Sequence, residues 1–478
     1  MKLSHRILGL MLGTYLSALV ATAQQPNLVM VIADQMRGSA MGFLGEEPVR
    51  TPRLDRFAAQ SIVFTHAASN YPICSPFRAM LMTGQYPFRN GVTANCLAID
   101  GVPGVELSRD SRTWSDVLAG KGYSLGYIGK WHLEAPRRPY IESYNNREDR
   151  AWNDWTPPDR RHGFGFWYGY NTYDQHLRPM YWSTDAGRQE FHHVDEWGPI
   201  HEADMAVSYI RNDEGVRASG KPFALVVSMN PPHNPYSEVP ERYVDLYAGH
   251  SIESLTNRPN IPPAGTKWGD HYRTWIRHYY GMITGVDEQF GRVLDALDEI
   301  GATRNTLVIF LSDHGNHLGI HDYVAKGQHY EESVRIPLIF RYPGKLKPRQ
   351  DDLLISAPDI YPTMLELMGM ASDIPQEVEG VSHAQLMLTG KGPRPASQVY
   401  VSTGRGDLAR GRRGVVTHDY TLRIDRSDDG SETVTLHDNR SDRYQLKNIA
   451  AEKPEVVERL REAELNRWLE KIGDPWQE

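Results

Sequence analysis

Residues 72–84 read Pro-Ile-Cys-Ser-Pro-Phe-Arg-Ala-Met-Leu-Met-Thr-Gly and are the most informative part of the chain. Ser75 is suited to cap a helix, Pro76 suits its first turn, and Gly84 suits its end. This pattern predicts a short helix with Cys74 at its N-terminus, where the helix dipole favours an anion. Taken alone, a cysteine in this place is more often a structural residue of the helix cap.

Four apolar runs are each followed directly by polar side chains. They cover residues 27–33, 123–129, 223–229 and 306–311, and runs of this kind are typical of buried parallel strands. The polar residues that follow them are Asp34 and Gln35, Lys130 and His132, His233, and Asp313 and His314. In open α/β sheets ligands bind at the carboxyl ends of the strands, so we expect these residues to share one site.

The rest of the chain predicts an α/β fold with two parts. Apolar residues recur at helical spacing between Met282 and Leu297, which indicates a helix packed on the sheet. We expect a catalytic domain over residues 24–390, built on a large, mostly parallel sheet flanked by helices. After about residue 390, short β-like runs alternate with turn residues, and a helix begins near Pro454. We therefore expect a smaller C-terminal α+β subdomain of antiparallel strands and a helix over residues 391–478.

The N-terminus predicts export. Lys2 and Arg6 precede an apolar run over residues 7–20, and Ala21-Thr22-Ala23 matches a small-x-small cleavage site. We interpret residues 1–23 as a signal peptide, because the run is short for a membrane anchor. The remaining sequence contains no second apolar stretch of spanning length. We expect a periplasmic or secreted protein with no membrane span after signal removal.

Composition excludes several classes of protein. The 478 residues carry a formal net charge of −8, which argues against a nucleic-acid binder. The chain has two cysteines, which excludes a disulfide scaffold and any multi-cysteine zinc or iron–sulfur site. Nothing in the sequence indicates an oligomeric state.

Residues 72–84 contain Cys-x-Pro-x-Arg followed by apolar residues and Thr-Gly, and this motif resembles the sulfatases of the alkaline-phosphatase superfamily. Residues 122–132, 312–315 and 326–337 resemble further segments of that family, so the likeness covers nearly the whole mature chain. Phe77 and Leu125 depart from the usual residues of the first two motifs. The resemblance implies an alkaline-phosphatase-like fold and hydrolysis of sulfate esters.

The same resemblance implies a modified nucleophile and a metal. In the family the motif's cysteine is oxidised to formylglycine by a formylglycine-generating enzyme during export, and the aldehyde hydrate attacks sulfur; here that residue is Cys74. The implied metal ligands are Asp34, Gln35, the modified Cys74, Asp313 and His314. Calcium prefers oxygen-rich, flexible shells, so Ca²⁺ is expected rather than Mg²⁺. Gln35 and His314 stand where the family often has Asp and Asn. Gln35 lowers the negative charge of the site, and His314 suits magnesium less well.

The remaining roles also follow from the resemblance. Arg78, Lys130 and Lys326 are expected to bind the sulfate and the nucleophile, with His233 beside them. His132 is expected to act as the base on the nucleophile side, and His233 as the general acid for the leaving oxygen. Isolated lysines and histidines are more often solvated or structural. On that ground no role is expected for His317, His321 or His329, and none is expected for Cys96, which lies in no motif.

The substrate is a separate inference. Residues 140–200 are rich in aromatic side chains that either contact sugar rings or pack as a small core of their own. Arg405, Arg410, Arg412 and Arg413 either bind a second acidic group of a glycan or form a solvated turn. We expect a sulfated polysaccharide or its oligosaccharides. The alternatives are a phosphonate or phosphate ester hydrolase of the same superfamily and a non-catalytic glycan-binding relative.

Overall fold

The computed structural model describes residues 25–404 and 406–477. The signal peptide expected over residues 1–23 and the side chain of Arg405 therefore lie outside the described residues. In the part of the chain that is described, no helix is long and apolar enough to span a membrane.

The strands of the described residues are β1 (Asn27–Ala33), β2 (Ile62–Ala68), β3 (Ala98–Ile99), β4 (Val102–Pro103), β5 (Ser124–Lys130), β6 (Arg150–Ala151), β7 (Phe166–Tyr170), β8 (Met180–Ser183), β9 (His192–His193), β10 (Phe223–Met229), β11 (Thr306–Leu311), β12 (Leu338–Arg341), β13 (Arg349–Ser356), β14 (Gln398–Gly404), β15 (Asp407–Val416), β16 (Tyr420–Arg426) and β17 (Glu432–Asp438). The main sheet has the order β13-β2-β12-β11-β1-β10-β5-β7-β8-β9. Its centre, β11-β1-β10-β5-β7, is parallel, and β12 runs antiparallel to both of its neighbours.

The helices of the described residues are α1 (Pro52–Ala58), α2 (Cys74–Thr83), α3 (Pro87–Asn90), α4 (Trp114–Gly120), α5 (Gly198–Arg211), α6 (Glu241–Asp245), α7 (Lys267–Glu299), α8 (Glu331–Val334), α9 (Ile360–Leu367), α10 (Ala384–Thr389), α11 (Pro454–Leu460) and α12 (Asn466–Lys471). A π-helical turn, Arg461–Leu465, joins the last two. Side chains of the sheet alternate between two apolar cores, one containing α2, α4 and α9, and the other containing α5 and α7.

The predicted α/β architecture is confirmed. Three of the four predicted strands match β1, β10 and β11 at both ends, and the fourth is displaced by one residue to β5. The central strand β1 is buried along its whole length between β10 and β11, which explains why its sequence is continuously apolar rather than alternating. The predicted amphipathic helix is the C-terminal half of α7.

The predicted C-terminal antiparallel sheet is also confirmed, with the order β14-β15-β16-β17. Val415, Leu422 and Leu436 pack from this sheet against Leu460 and Leu469 of the C-terminal helices. The sheet is joined to the main body through polar contacts as well: the Asn70 side chain donates to the Val399 carbonyl, and the Tyr400 hydroxyl donates to the Gly327 carbonyl.

Candidate active site

One edge of the main sheet collects the polar side chains that follow β11, β1, β10 and β5. These four strands are parallel neighbours, so their carboxyl ends lie side by side. Two of the residues that follow them have left-handed backbone: Gln35, with φ 67°, and His132, with φ 55°. Such a conformation is costly for residues other than glycine, and at both positions it turns the backbone sharply just after the strand ends.

Helix α2 points its N-terminus at the same edge. Cys74 is the first residue of the helix and is 1% exposed. The expectation that Ser75 caps the helix is wrong: the N-cap is Ile73, without a side-chain cap, and the Ser75 hydroxyl accepts instead from the Cys96 amide at 3.0 Å. Gly84 ends the helix with φ 66°, as predicted.

Four of the expected ligands form a compact buried group. One ligand atom from each of Asp34, Cys74, Asp313 and His314 lies within 4.8 Å of the others. His314 Nδ1 lies 2.9 Å from the Gly315 carbonyl, which fixes the proton on Nδ1 and leaves the Nε2 lone pair facing the Cys74 sulfur at 3.2 Å. Burial lowers the pKa of His314, so its ring stays neutral at pH 7 and able to bind a metal.

Two buried cations compensate the carboxylates of this group. Arg78 Nη2 lies 3.1 Å from Asp34 Oδ2 and 3.3 Å from Asp313 Oδ2, and Lys130 Nζ lies 2.7 Å from Asp34 Oδ2. Burial by itself raises the pKa of Asp34, but Lys130, followed by other cationic groups, lowers it well below its ordinary value. Asp34 is therefore ionised, and Lys130 Nζ also lies 4.0 Å from the Cys74 sulfur.

A second set of groups lies beside this one. Lys326 Nζ donates to Gln35 Oε1 at 2.8 Å and lies 2.6 Å from His233 Nε2. The Gln35 amide oxygen thus contacts a lysine, while the Gln35 backbone amide donates to Asp313 Oδ1 at 3.1 Å. Gln35 therefore links the group of possible metal ligands to His233 and Lys326.

The two histidines have opposite environments. His132 is 2% exposed and neither ring nitrogen has a hydrogen-bond partner; burial, Lys130 and Arg78 lower its pKa well below the ordinary value. For His233, burial and two lysines also lower the pKa, but Asp174 and Asp34 outweigh them and raise it. At neutral pH His132 is suited to accept a proton and His233 to hold one.

Three residues of this site were missed in the sequence. Asn230 accepts from Lys130 Nζ at 2.9 Å, the Ser228 hydroxyl accepts from Arg78 at 2.8 Å, and Asp174 Oδ1 lies 3.4 Å from His233 Nδ1. Asn230 carries the same signal as the predicted residues, since it directly follows β10. Ser228 lies inside an apolar strand, and Asp174 lies in the aromatic segment, so neither has a signal of that kind.

The aromatic segment over residues 140–200 packs mostly as core. Its buried members include Phe164, Trp167, Tyr168, Tyr170, Tyr173, Tyr181, Trp182 and Trp197. The expected arginine cluster is also engaged within the protein: Arg413 is buried against Asp474, Arg412 pairs with Asp425, and Arg410 donates to the Ser427 carbonyl. Three of the histidines without an expected role, His317, His321 and His329, lie against tyrosine rings.

Comparison with known proteins identifies the family. The sulfatase family profile matches residues 26–370, and the profile of the N-sulphoglucosamine sulphohydrolase C-terminal region matches residues 319–471. The chain belongs to the sulfatase family, and it is a sulfuric ester hydrolase.

Similar proteins cover the chain almost completely. An endo-4-O-sulfatase of Bacteroides thetaiotaomicron is 40% identical over 95% of this chain and 94% of its own length. An ulvan-active sulfatase of Formosa agariphila is 33% identical over 94% of this chain and 82% of its own length. The solved structure of a Bacteroides fragilis protein assigned as a sulfatase superposes with a TM-score of 0.90 at 46% identity, covering 94% of this chain and 97% of that one.

The residues present suit a divalent cation. Asp34 and Asp313 offer carboxylate oxygens, His314 offers a neutral ring nitrogen of fixed tautomer, and Asp313 Oδ2 is buried without a hydrogen bond. A bound cation would give this oxygen the close partner that it lacks. Arg78 approaches the same oxygen, so the carboxylates are partly neutralised before any metal binds.

Proposed function

We propose that this protein is an exported sulfatase that hydrolyses sulfate monoesters of carbohydrates, using formylglycine derived from Cys74 and a calcium ion. The observation that carries the proposal is the buried position of Cys74 at the N-terminus of α2, beside two carboxylates, a neutral imidazole and Lys130. The carbohydrate class is supported by the similar endo-4-O-sulfatase and ulvan-active sulfatase.

Asp34, Gln35, Asp313 and His314, with the modified residue 74, would hold the calcium ion. When bound, the cation supplies positive charge to the sulfate oxygens and to the oxygen at residue 74. Calcium is proposed rather than magnesium because it prefers flexible shells of oxygen ligands, and Asp34, Gln35, Asp313 and the modified residue 74 would each offer oxygen. The neutral amide of Gln35 and the neutral ring of His314 limit the negative charge of the site to two carboxylates.

The hydrated aldehyde of the modified residue 74 would supply the attacking oxygen, and the side chains around it would hold the reacting groups. Lys130 Nζ lies 4.0 Å from the sulfur of residue 74, and Arg78 contacts Asp34 beside it. Both cations would neutralise the charge that develops on the sulfuryl oxygens. Lys326 lies beside His233, where it would bind another sulfate oxygen. These contacts are made before substrate arrives, so little reorganisation is required in the transition state.

Proton transfer is assigned from the two environments. His233 would protonate the alcohol oxygen as it leaves, which a sugar alkoxide requires because it is a poor leaving group. His132 would accept a proton on the side of residue 74, a role supported by its two unpaired ring nitrogens. Its lowered pKa keeps the ring unprotonated at neutral pH. Pairs of titratable groups with pKa values driven apart are typical of acid and base partners.

Export and the division of the chain complete the proposal. Residues 1–23 would be removed as a signal peptide, which places the mature enzyme in the periplasm or outside the cell. Residues 24–390 would form the catalytic domain and residues 391–478 the C-terminal subdomain, which begins before β14.

A release assay on defined sulfated oligosaccharides tests the function. We expect sulfate release from at least one carbohydrate with a kcat/KM well above that on an aryl sulfate, and 4-O-sulfated chains are the first to try. The control is a matched aryl phosphate monoester and an aryl phosphonate. Faster turnover of either control than of every sulfate ester would favour the phosphonate or phosphate hydrolase instead, and glycan binding without sulfate release would favour a non-catalytic relative.

A further inference from the structure

His233 is held from both sides of its ring. On one side, Nε2 lies 2.6 Å from Lys326 Nζ, where the substrate oxygen is expected. On the other side, Nδ1 lies 2.6 Å from the Asn234 carbonyl and 3.4 Å from Asp174 Oδ1. A carboxylate in this position has no contact with the reacting atoms, yet it lies within ion-pair distance of the imidazole.

Asp174 is itself fixed in place. Asn145 and Asp174 exchange two hydrogen bonds, from Asn145 Nδ2 to Asp174 Oδ2 at 2.6 Å and from the Asp174 amide to Asn145 Oδ1 at 2.9 Å. Asn230 Nδ2 donates to Asp174 Oδ1 at 3.1 Å, and Asn230 Oδ1 accepts from Lys130. The Asp174 side chain is 15% exposed, so its charge is only weakly screened by solvent.

The charge of Asp174 persists at neutral pH. Burial raises the pKa of the carboxyl group, but His233, Lys130 and His176 lower it far below the ordinary value. Without Asp174, the cationic ring of His233 would face Lys326 and Lys130 with no nearby negative group on its Nδ1 side. Two ammonium groups so close disfavour an imidazolium.

From this arrangement we propose that Asp174 is a positioning residue for the reaction: it fixes the His233 ring and stabilises its protonated form. This inference rests on the proposed role of His233 as general acid. As the bond between sulfur and the alcohol oxygen breaks, its electron pair stays on that oxygen. The oxygen takes the proton from His233 Nε2, and the ring becomes neutral. The effect of Asp174 is therefore largest when the leaving oxygen is strongly basic.

The competing possibility is purely structural. The Asn234 carbonyl already accepts from His233 Nδ1, so it can orient the ring without Asp174. Asp174 would then serve only to hold its own segment through Asn145 and Asn230. In that case its loss would disturb folding or substrate binding but would not depend on the leaving group.

Asp174→Asn separates the two possibilities, because it removes the charge and keeps the size of the side chain. The assay is kcat and KM on a series of sulfate esters, from a nitrophenyl sulfate to a sugar or simple alkyl sulfate. We expect kcat to fall about 100-fold on the sugar or alkyl ester, at the lower end of what a general acid contributes, and only a few-fold on the nitrophenyl ester. KM is expected to change little. The melting temperature is expected to fall slightly, because the new amide NH2 faces the Nδ2 group of either Asn145 or Asn230.

The matched control is Asn145→Ala, which loosens Asp174 without removing its charge. Its kcat is expected to fall by a similar, small factor on all esters. Losses of equal size on every ester for Asp174→Asn would overturn the proposal.

His233→Ala in the same series distinguishes this failure from failure of the proposed function. If His233→Ala is sensitive to the leaving group and Asp174→Asn is not, only the role of Asp174 is wrong. If His233→Ala shows no sensitivity either, His233 is not the acid and both assignments fall.

Discussion

Lys130 and Asp34 form an ion pair in the interior of the protein, with Nζ 2.7 Å from Oδ2 and neither side chain exposed to solvent. The same ammonium group donates to Asn230 Oδ1 and lies 4.0 Å from the Cys74 sulfur. One small cation thus fixes a carboxylate of the possible metal site and faces the proposed nucleophile. Because both groups are desolvated, neither can lose its partner at low cost.

Replacing Lys130 should therefore affect stability and turnover together. In Lys130→Met, Asp34 keeps Arg78 but loses its nearest cation, and we expect the free energy of unfolding to fall by about 3 kcal/mol. Lys130→Arg should not restore turnover, since a planar guanidinium does not fit the place of a compact ammonium. Urea unfolding and kcat measure both effects. The double variant Lys130→Met/Asp34→Asn should regain stability but not activity, and a single variant as stable as the wild type would contradict the expectation.

Cys74→Ala should abolish sulfate release and leave the fold intact. The substitution removes one buried sulfur atom, for which we expect a loss of about 1 kcal/mol, and it leaves the backbone of α2 unchanged. Cys96→Ala is the matched control, because Cys96 is buried as well but has no proposed role. Mass analysis of the peptide containing residue 74 should show an aldehyde in active wild-type protein. A fully active enzyme with an unmodified thiol would refute the role of Cys74.

Removal of the metal should abolish activity but only moderately reduce stability. Asp34 and Asp313 would repel each other without a cation, but Arg78 Nη2 lies within 3.3 Å of both carboxylates and offsets part of that repulsion. We expect a chelator to abolish turnover and calcium to restore it. Calcium at 100 times its dissociation constant should add about 2.7 kcal/mol to the free energy of unfolding. This added stability should appear as a rise in the melting temperature.

The matching variant for this test is Asp313→Asn. It should lose the calcium-dependent rise in melting temperature, whereas Asp407→Asn, at an exposed site, should retain it. Full activity in metal-free protein with an unchanged melting temperature would exclude the metal site.

Glu202 should make stability fall as pH rises. It is buried beside the Tyr170 and Tyr181 hydroxyls, and burial raises its pKa to about 8. Since the folded pKa exceeds the unfolded one, the carboxyl contributes full stability below about pH 4.5 and loses it as pH rises through 8. The free energy of unfolding of Glu202→Gln, relative to that of the wild type, should thus rise by about 1.4 kcal/mol per pH unit between pH 5 and 8. A pH-independent difference in unfolding free energy would show that Glu202 is ionised in the folded protein.

Local patterns were sufficient for much of the fold. Strands β1, β10 and β11 could be read from the sequence because a strand covered on both faces is apolar throughout. The strands at the edges of the main sheet could not be predicted in this way. Strand β13 begins Arg349-Gln350-Asp351-Asp352, and its pairing with β2 joins segments far apart in the chain, which no local pattern encodes.

The residues of the candidate site also include some that the sequence could predict and some that it could not. Asp34, His233 and Asp313 could be selected because they follow strands whose ends meet. Asp174 could not, because its position behind His233 depends on how residues 140–200 pack on the sheet. The cap of α2 was wrong for a related reason: Ser75 is drawn toward the Cys96 amide, a tertiary contact that competes with a local one.

The hydrogen bond from the Tyr400 hydroxyl to the Gly327 carbonyl ties β14 to the residue after Lys326. Arg412 of β15 donates to the same carbonyl at 3.3 Å. The segment that carries Lys326, which we propose to bind a sulfate oxygen, is thus held by residues more than seventy positions later in the chain. During synthesis the site is incomplete until β14 and β15 have been made. A shortened or chimeric enzyme that keeps every motif before residue 340 would therefore still lack the hydrogen bonds from Tyr400 and Arg412 that hold the segment of Lys326.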